Sequence, residues 1–317
     1  MSIIWEKSWH QAGEMILKPD FQRELVKLLG KRARFDLDLD RLTTWGVGGP
    51  VRFHCRVHTP LEAAQVISLA KQAKVPWMVL GRGSNLLVSD QGYPGVMLRL
   101  AGPLAKLELE DGTIKAGAGA SLPALVKLAA VNGLSGLEWA VGIPATVGGA
   151  VAGNAGANGF EMSDITDQIS LLLENGEIKA FKGQEIKSGY RHLDLPAQSL
   201  VLEALLEFKP DDPAMIHRRM KRLLERRLGA QPLIKRTAGS VFKNPPGDYA
   251  GRLIEQAGCK GLSVGDAMVS VRHANFIENR GKATASQIIE LMQVVSDRVK
   301  SQAGVRLQPE VEVVGRV

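Results

Sequence analysis

Ser240 stands in RTAGSVFKNP, with Lys243 and Asn244 just after it. A hydroxyl hemmed by a cation and an amide suits a proton donor facing an anionic substrate, although a serine among small residues is also ordinary turn material. No G-x-S-x-G surrounds it, which disfavours a hydrolase elbow. Two glycine-rich segments suit a large ligand. In LGRGSNLLVSD, Gly81 and Gly83 let backbone N–H groups converge, with donors on Ser84 and Asn85, a nest fitted to a diphosphate. The plain alternative is a tight turn. In VGIPATVGGAVAGNAGANG, the runs Gly148-Gly149-Ala150 and Gly153-Asn154-Ala155-Gly156 have almost no side chain, so a flat ligand can lie on the main chain. Their other use is close packing of a helix on a sheet. Together the loops favour a cofactor with phosphates and a planar ring. Neither is a dinucleotide fingerprint or a P-loop: strand-like Leu86-Leu87-Val88 follows Asn85, and no Gly-Lys-Ser/Thr appears. Taken singly, Tyr190-Arg191, Glu310 after Pro309, and His273 in RHANFI are ordinary residues.

The elements that must position these groups read as a mixture without regular βαβ alternation, which predicts an α+β fold. Residues 1–40 read as a helical extension followed by a charged linker, FDLDLDRL. Thr59-Pro60-Leu61-Glu62 is a capping box opening a helix that stops before Pro76. Trp77–Leu80 is a short strand running straight into the first glycine loop. Strands are expected near Val96–Leu100 and Thr113–Ala118, then a helix from Ser121 to Val131. Ile169–Glu174 and Glu177–Phe181 flank Asn175-Gly176, a type I′ hairpin signal. Leu200–Phe208 is a strand. Pro210-Asp211-Asp212-Pro213 reads as a boundary, with Asp212 capping a basic helix that Gly229 ends. A last helix starts at Thr284, carries Ile288, Leu291, Met292, Val295 and Val299 inward, and ends at Gly304. Leu307–Val314 is the closing strand.

Composition narrows the class. The chain has 317 residues, 45% apolar and 23% charged, so it folds as a soluble globular protein of about two domains. Forty Lys+Arg against 33 Asp+Glu give +7, which reads either as a solvated surface or as an affinity for phosphates. Two cysteines, Cys55 and Cys259, make neither a disulfide scaffold nor a metal cluster. The uncharged stretch from Trp139 to Phe160 has six glycines and no leucine, too weak for a membrane span, and reads as buried loop. No secretion signal fits the N-terminus, which points to the cytoplasm.

Taken together, TTWGVGGP, GRGSNLLVSD, GLEWAVGIPATVGGAVAGNAGANG, Tyr190-Arg191, QPL, AGSVFKNP, AGRLIEQAGCKG, VSVRHANFI and LQPEV resemble, in order, the UDP-N-acetylenolpyruvoylglucosamine reductase (MurB) family, of the shorter type. The resemblance runs from about residue 41 to the end. It implies an FAD-binding module of the vanillyl-alcohol-oxidase type over 41–210 and a UDP-sugar-binding α+β domain over 211–317. It implies non-covalent FAD, since no attachment histidine stands at Ser84-Asn85, with NADPH as co-substrate and a UDP-sugar as small-molecule partner. A monomer that binds neither metal, nucleic acid nor membrane is expected. By position, Ser240 is the implied proton donor, with Arg191 and Glu310 stabilising the enolic intermediate. FAD is expected on Gly81, Arg82, Gly83, Ser84, Asn85, Leu86, Ile143, Pro144, Gly148, Gly149, Ala150, Asn154 and Gly156, and substrate on Tyr190, Arg227, Lys243 and Asn244. The chain departs from the family at His192-Leu193, Ala145 and Gly153. Two other readings keep part of the pattern. An oxidase on the same flavin fold keeps the FAD loops but has no use for SVFKNP and LQPEV, and a nucleic-acid module uses only the Arg218–Arg227 helix.

Overall fold

The structure is a computed structural model that describes residues 19–232 and 236–315. Of the helical extension expected at the N-terminus, residues 1–18 lie outside the described residues. Helix α1, Pro19–Leu29, buries Phe21, Leu25 and Leu29, and the Phe21 ring meets Phe53 edge-on at 4.9 Å. The FDLD stretch, expected as a charged linker, is a strand. Ala33–Asp38 pairs antiparallel with Pro50–Val57, because its Phe35 and Leu37 alternate with charged neighbours. Pro50–Val57 pairs parallel with Tyr93–Leu100, which pairs parallel with Trp77–Val79, completing a mixed four-stranded sheet. Helix α2, Pro60–Gln72, starts as expected, with Thr59 Oγ1 accepting from the Glu62 N–H at 3.1 Å. Only half of the capping box forms, since the Glu62 carboxylate goes to Arg32 and the His58 N–H.

An antiparallel five-stranded sheet follows, in the order Ile178–Lys182, Thr166–Leu172, Leu200–Glu207, Thr113–Gly117, Leu107–Glu110. The hairpin at Asn175-Gly176 is not type I′, because only Gly176 has positive φ, +87°. The Gly176 N–H bonds Leu173 O at 2.9 Å and the Leu173 N–H bonds Glu177 O at 2.8 Å, a type I turn closed by a glycine bulge. Helix α3 is Leu122–Val131. Inside the stretch expected as loop, Val147–Ala152 forms a short helix, α4. Helix α5, Pro213–Ala230, is capped by Asp212 as expected but runs through Gly229 rather than stopping before it. It packs against α3 and the Glu138–Ala140 turn, on the N-terminal side of the expected boundary. Arg219 fixes it there, bonding buried Glu138 at 2.7 Å and Asp211 at 2.6 Å.

Helices α6 (Ala250–Gln256) and α7 (Ala285–Ala303) cover a small three-stranded sheet, Ser263–Val264, Ala267–Val269 and Ile277–Asn279. The α7 boundaries fall where the sequence puts them: a complete capping box at Thr284 and Gln287, and Gly304 at φ +69°. The core under these helices takes in Trp45, Val47 and Leu87 from the N-terminal half. Trp45 Nε1–H donates to Ile277 O at 2.8 Å. Of the expected closing strand Leu307–Val314, only Glu312–Val314 is regular, and it pairs parallel with Leu86–Val88. Asp90 caps α7 by accepting from the Ala285 and Ser286 N–H groups. The two halves are thus stitched together directly beside the first glycine loop.

Candidate active site

That loop, residues 81–85, leaves the short strand Trp77–Val79 and enters Leu86–Val88. Gly83 has φ +62°, and any side chain there would run into the Leu42 carbonyl and lie 2.9 Å from Thr43 Cα. The Thr44 N–H donates to Gly83 O at 3.2 Å. The glycine is therefore fixed by contact with the TTWG segment. A Cβ at Gly81 would lie 2.8 Å from Thr146 Oγ1, which itself accepts from the Gly149 N–H at 3.2 Å. Thr146 so joins the two glycine-rich segments into one wall. Sequence reasoning missed it, though a threonine three positions before Gly149 is an N-cap signal.

The residues expected at the cofactor divide by exposure. Arg82, Asn85, Pro144 and Gly149 are exposed; Gly81, Ser84, Ile143, Gly148 and Gly156 are half-buried. Gly83, Leu86, Ala150 and Asn154 are buried, so their side chains or Cα positions serve packing. Gly148 also packs closely, since a Cβ there would stand 2.7 Å from that of Ala118. Asn154 is the clearest departure. It has no exposed surface and holds φ +39°, its Nδ2 donates to Gly189 O at 3.1 Å, and its Oδ1 accepts from the Ser163 N–H at 3.0 Å. It staples the turn that carries Tyr190 and Arg191.

Arg191 holds a left-handed φ of +56°, which aims its guanidinium across the seam between the halves. Its Nε–H donates to Glu310 Oε1 at 2.8 Å, and the guanidinium lies 5.4 Å from the exposed Tyr190 ring. A side chain at Gly156 would stand 2.6 Å from the Phe160 carbonyl and 3.2 Å from Arg191 Nη1, so this glycine is set first by the pairing of its own hairpin and only then by the arginine. Glu310 is held from two sides. Its N–H donates to Val241 O at 2.8 Å, and its carbonyl accepts from Asn85 Nδ2 at 3.1 Å. Burial pushes the Glu310 carboxyl up, against the opposing pull of Arg191 and Lys243.

The segment that directly follows Ser240 joins the same seam by backbone pairing. Val241–Lys243 runs along Gln308–Glu310, with the Lys243 N–H bonding Gln308 O at 2.8 Å. Buried Asn275, not foreseen as a site residue, clamps this segment through both its amide and its backbone: Oδ1 accepts from the Phe242 N–H at 3.0 Å, Nδ2 donates to Phe242 O at 2.8 Å, and its carbonyl accepts from the Val241 N–H at 2.8 Å. Asn244 caps α6, its Oδ1 accepting from the Ala250 N–H at 3.0 Å. Arg227 reaches the region from α5. Among the described residues its buried Nε has no partner, and neither does Oε1 of Gln231. Burial, then the charge of Arg191, hold Arg227 below the usual arginine range. His273 is structural, with its ring 4.7 Å from Phe276.

A flavin dinucleotide fits this arrangement. Thr146 joins the two glycine-rich segments into one wall, exposed Gly149 presents bare main chain on it, and exposed Arg82 and Asn85 flank the first loop. Comparison with known proteins agrees. Residues 52–182 match the FAD binding domain family, and residues 231–314 match the UDP-N-acetylenolpyruvoylglucosamine reductase C-terminal domain. A protein named UDP-N-acetylenolpyruvoylglucosamine reductase 2, from Symbiobacterium thermophilum, is 42% identical over 92% of this chain and 95% of its own length. UDP-N-acetylenolpyruvoylglucosamine reductase of Heliobacterium modesticaldum is 42% identical over 87% of this chain and 89% of its own. The crystal structure of MurB from Thermus caldophilus superposes with a TM-score of 0.77 at 40% identity, covering 89% of this chain and 97% of that one. With an FAD-binding α+β module joined to this C-terminal domain, the chain belongs to the UDP-N-acetylenolpyruvoylglucosamine reductase family of FAD-dependent oxidoreductases.

Proposed function

We propose that this protein reduces the enolpyruvyl ether of UDP-N-acetylglucosamine to UDP-N-acetylmuramate, a step of peptidoglycan synthesis, as a cytoplasmic monomer. NADPH is the reductant, and FAD is held without a covalent bond. The supporting observation is that Ser240, Arg191 and Glu310, far apart in sequence, converge on one seam beside the glycine-loop wall. Gly81, Arg82, Ser84 and Asn85 would hold FAD from one side, and Ile143, Pro144, Gly149 and Gly156 from the other. When bound, FAD supplies the hydride that adds to the β-carbon of the enolpyruvyl group.

The chain's own residues then handle charge and proton. Arg191 offers its fork to the substrate carboxylate, whose enolic form carries additional charge. Glu310, with a carboxyl raised by burial, holds a proton more readily than a surface acid and so can sit beside an anion. The Ser240 hydroxyl gives its proton to the α-carbon, completing the addition. Arg227, with its unsatisfied buried Nε, and Lys243 meet the diphosphate and sugar, and exposed Tyr190 flanks the entrance.

Ser240→Ala tests the assignment. Stopped-flow measurement should show flavin reduction by NADPH near the wild-type rate. Reoxidation by the enolpyruvyl substrate should fall on the order of 10²–10⁴-fold, the usual contribution of a positioned general acid. Ser240→Cys should recover part of the rate. Equal slowing of both half-reactions would make Ser240 structural, and no slowing would move the proton donor to Glu310.

A further inference from the structure

The four-stranded sheet packs one face on α1 and α2 through Phe53, Cys55, Val57 and Leu98. Its opposite face carries unspent positive charge. The register sets Arg34 opposite His54 across one strand pair and Arg56 beside Arg99 across the next. His54 and Arg56, two positions apart on one strand, share that face. Arg82 joins from the rim. Burial, then the charges of Arg56 and Arg82, pull Arg99 down.

Arg34, Arg56 and Arg82 are exposed and Arg99 is half-buried, and among the described residues none of the four is paired with an acid. The contrast with their neighbours is informative. Arg32 and Arg52 are neutralised by Glu62 and Asp36, each at 2.7 Å. Asp38, on the strand of Arg34, lies beyond Asp36 and farther from the cluster. Beneath the arginines, His54 is 3% exposed, and neither ring nitrogen has a partner among the described residues. Burial, then Arg99, Arg34 and Arg56, hold its pKa down to about 4, so at neutral pH the ring is uncharged with one N–H to give. A buried unbonded polar group is costly, and clustered guanidinium forks match phosphate oxygens in geometry.

We propose that this face is a phosphate-binding site for a small phosphorylated molecule, built from Arg34, Arg56 and Arg99 over His54 and adjoining the first glycine loop at Arg82. The probe is inorganic pyrophosphate, titrated calorimetrically into the FAD-loaded protein, beside the double variant Arg34→Ala/Arg56→Ala. Both side chains are exposed and hold no ion pair, so the variant keeps its fold and its flavin spectrum. Pyrophosphate should bind the parent protein, and the variant should bind it at least tenfold more weakly. ADP in place of pyrophosphate identifies the source: a tenfold gain means a nucleotide, and equal affinity means the free anion. Three results overturn the proposal. One is no pyrophosphate binding, or binding that the double variant leaves unchanged. Another is loss of FAD in the variant, which would give the face to the cofactor's own phosphates. The last is binding of single-stranded DNA but not of pyrophosphate, which would make the face a nucleic-acid surface.

Discussion

Asn154→Ala separates a ligand contact from a structural staple. The side chain is fully buried, bonds the Gly189 carbonyl at 3.1 Å and the Ser163 N–H at 3.0 Å, and sits at φ +39°. Losing two satisfied hydrogen bonds costs about 1 kcal/mol each. Alanine tolerates the left-handed region less well than asparagine, which adds about 1 kcal/mol. The total, about 3 kcal/mol, should lower the melting temperature of the FAD-saturated protein by roughly 4–5 °C. Gly189 immediately precedes Tyr190 and Arg191, so the loosened turn also lets the guanidinium drift from Glu310. A displacement near 1 Å at a positioning group can cost on the order of 10²-fold. Reoxidation by the enolpyruvyl substrate should therefore slow by about 10–100-fold while reduction by NADPH stays near normal. Asn154→Gly, which restores the backbone freedom but not the bonds, should recover about 1 kcal/mol. Scanning calorimetry and stopped-flow spectroscopy read these effects. If Asn154→Ala sheds FAD while melting like the parent protein, the residue touches the cofactor and the staple is wrong.

Gly83→Val should yield little folded protein rather than a folded protein without flavin. Its side chain would strike the Leu42 carbonyl at a φ of +62°, and soluble protein with a normal melting temperature would refute this. His54 should make the protein acid-sensitive. Its folded pKa near 4 lies below the unfolded value, so the unfolded state takes up the proton first and stability falls as pH drops from about 6.5 toward about 4. Urea unfolding in phosphate-free buffer should show a loss of about 2 kcal/mol between pH 7 and pH 5, which His54→Gln should remove. Arg219→Ala strips buried Glu138 of its cation and frees α5. Because Arg219 is about a third exposed, the loss in urea should be near 2 kcal/mol rather than a full buried-pair penalty, and the substrate KM should rise through Arg227 on the same helix.

Sequence alone determined the features that depend on neighbours along the chain. Asp212 and Thr284 cap helices as their spacing predicts, Gly304 stops α7, and both glycine-rich segments mark places where the backbone must approach something closely. What they approach was not legible. Gly83 is fixed by the TTWG backbone and Gly148 by Ala118, so close packing of the chain on itself and space for a ligand leave the same signature in a sequence. The FDLD strand was hidden because charge on one face masks alternation on the other until a partner strand is present. The seam that sets Arg191 on Glu310, with the segment after Ser240 alongside, was decided by tertiary structure. It rests on backbone pairing of Val241–Lys243 with Gln308–Glu310, on the amides of Asn85 and Asn275, and on a left-handed Arg191. The same holds for His54 and its arginines, which look like an ordinary alternating strand until the sheet register sets one cation beside another. Caps and turns are chosen by interactions a few residues long, whereas charge clusters and inter-segment seams are assembled by hydrogen bonds between segments that local pattern does not connect.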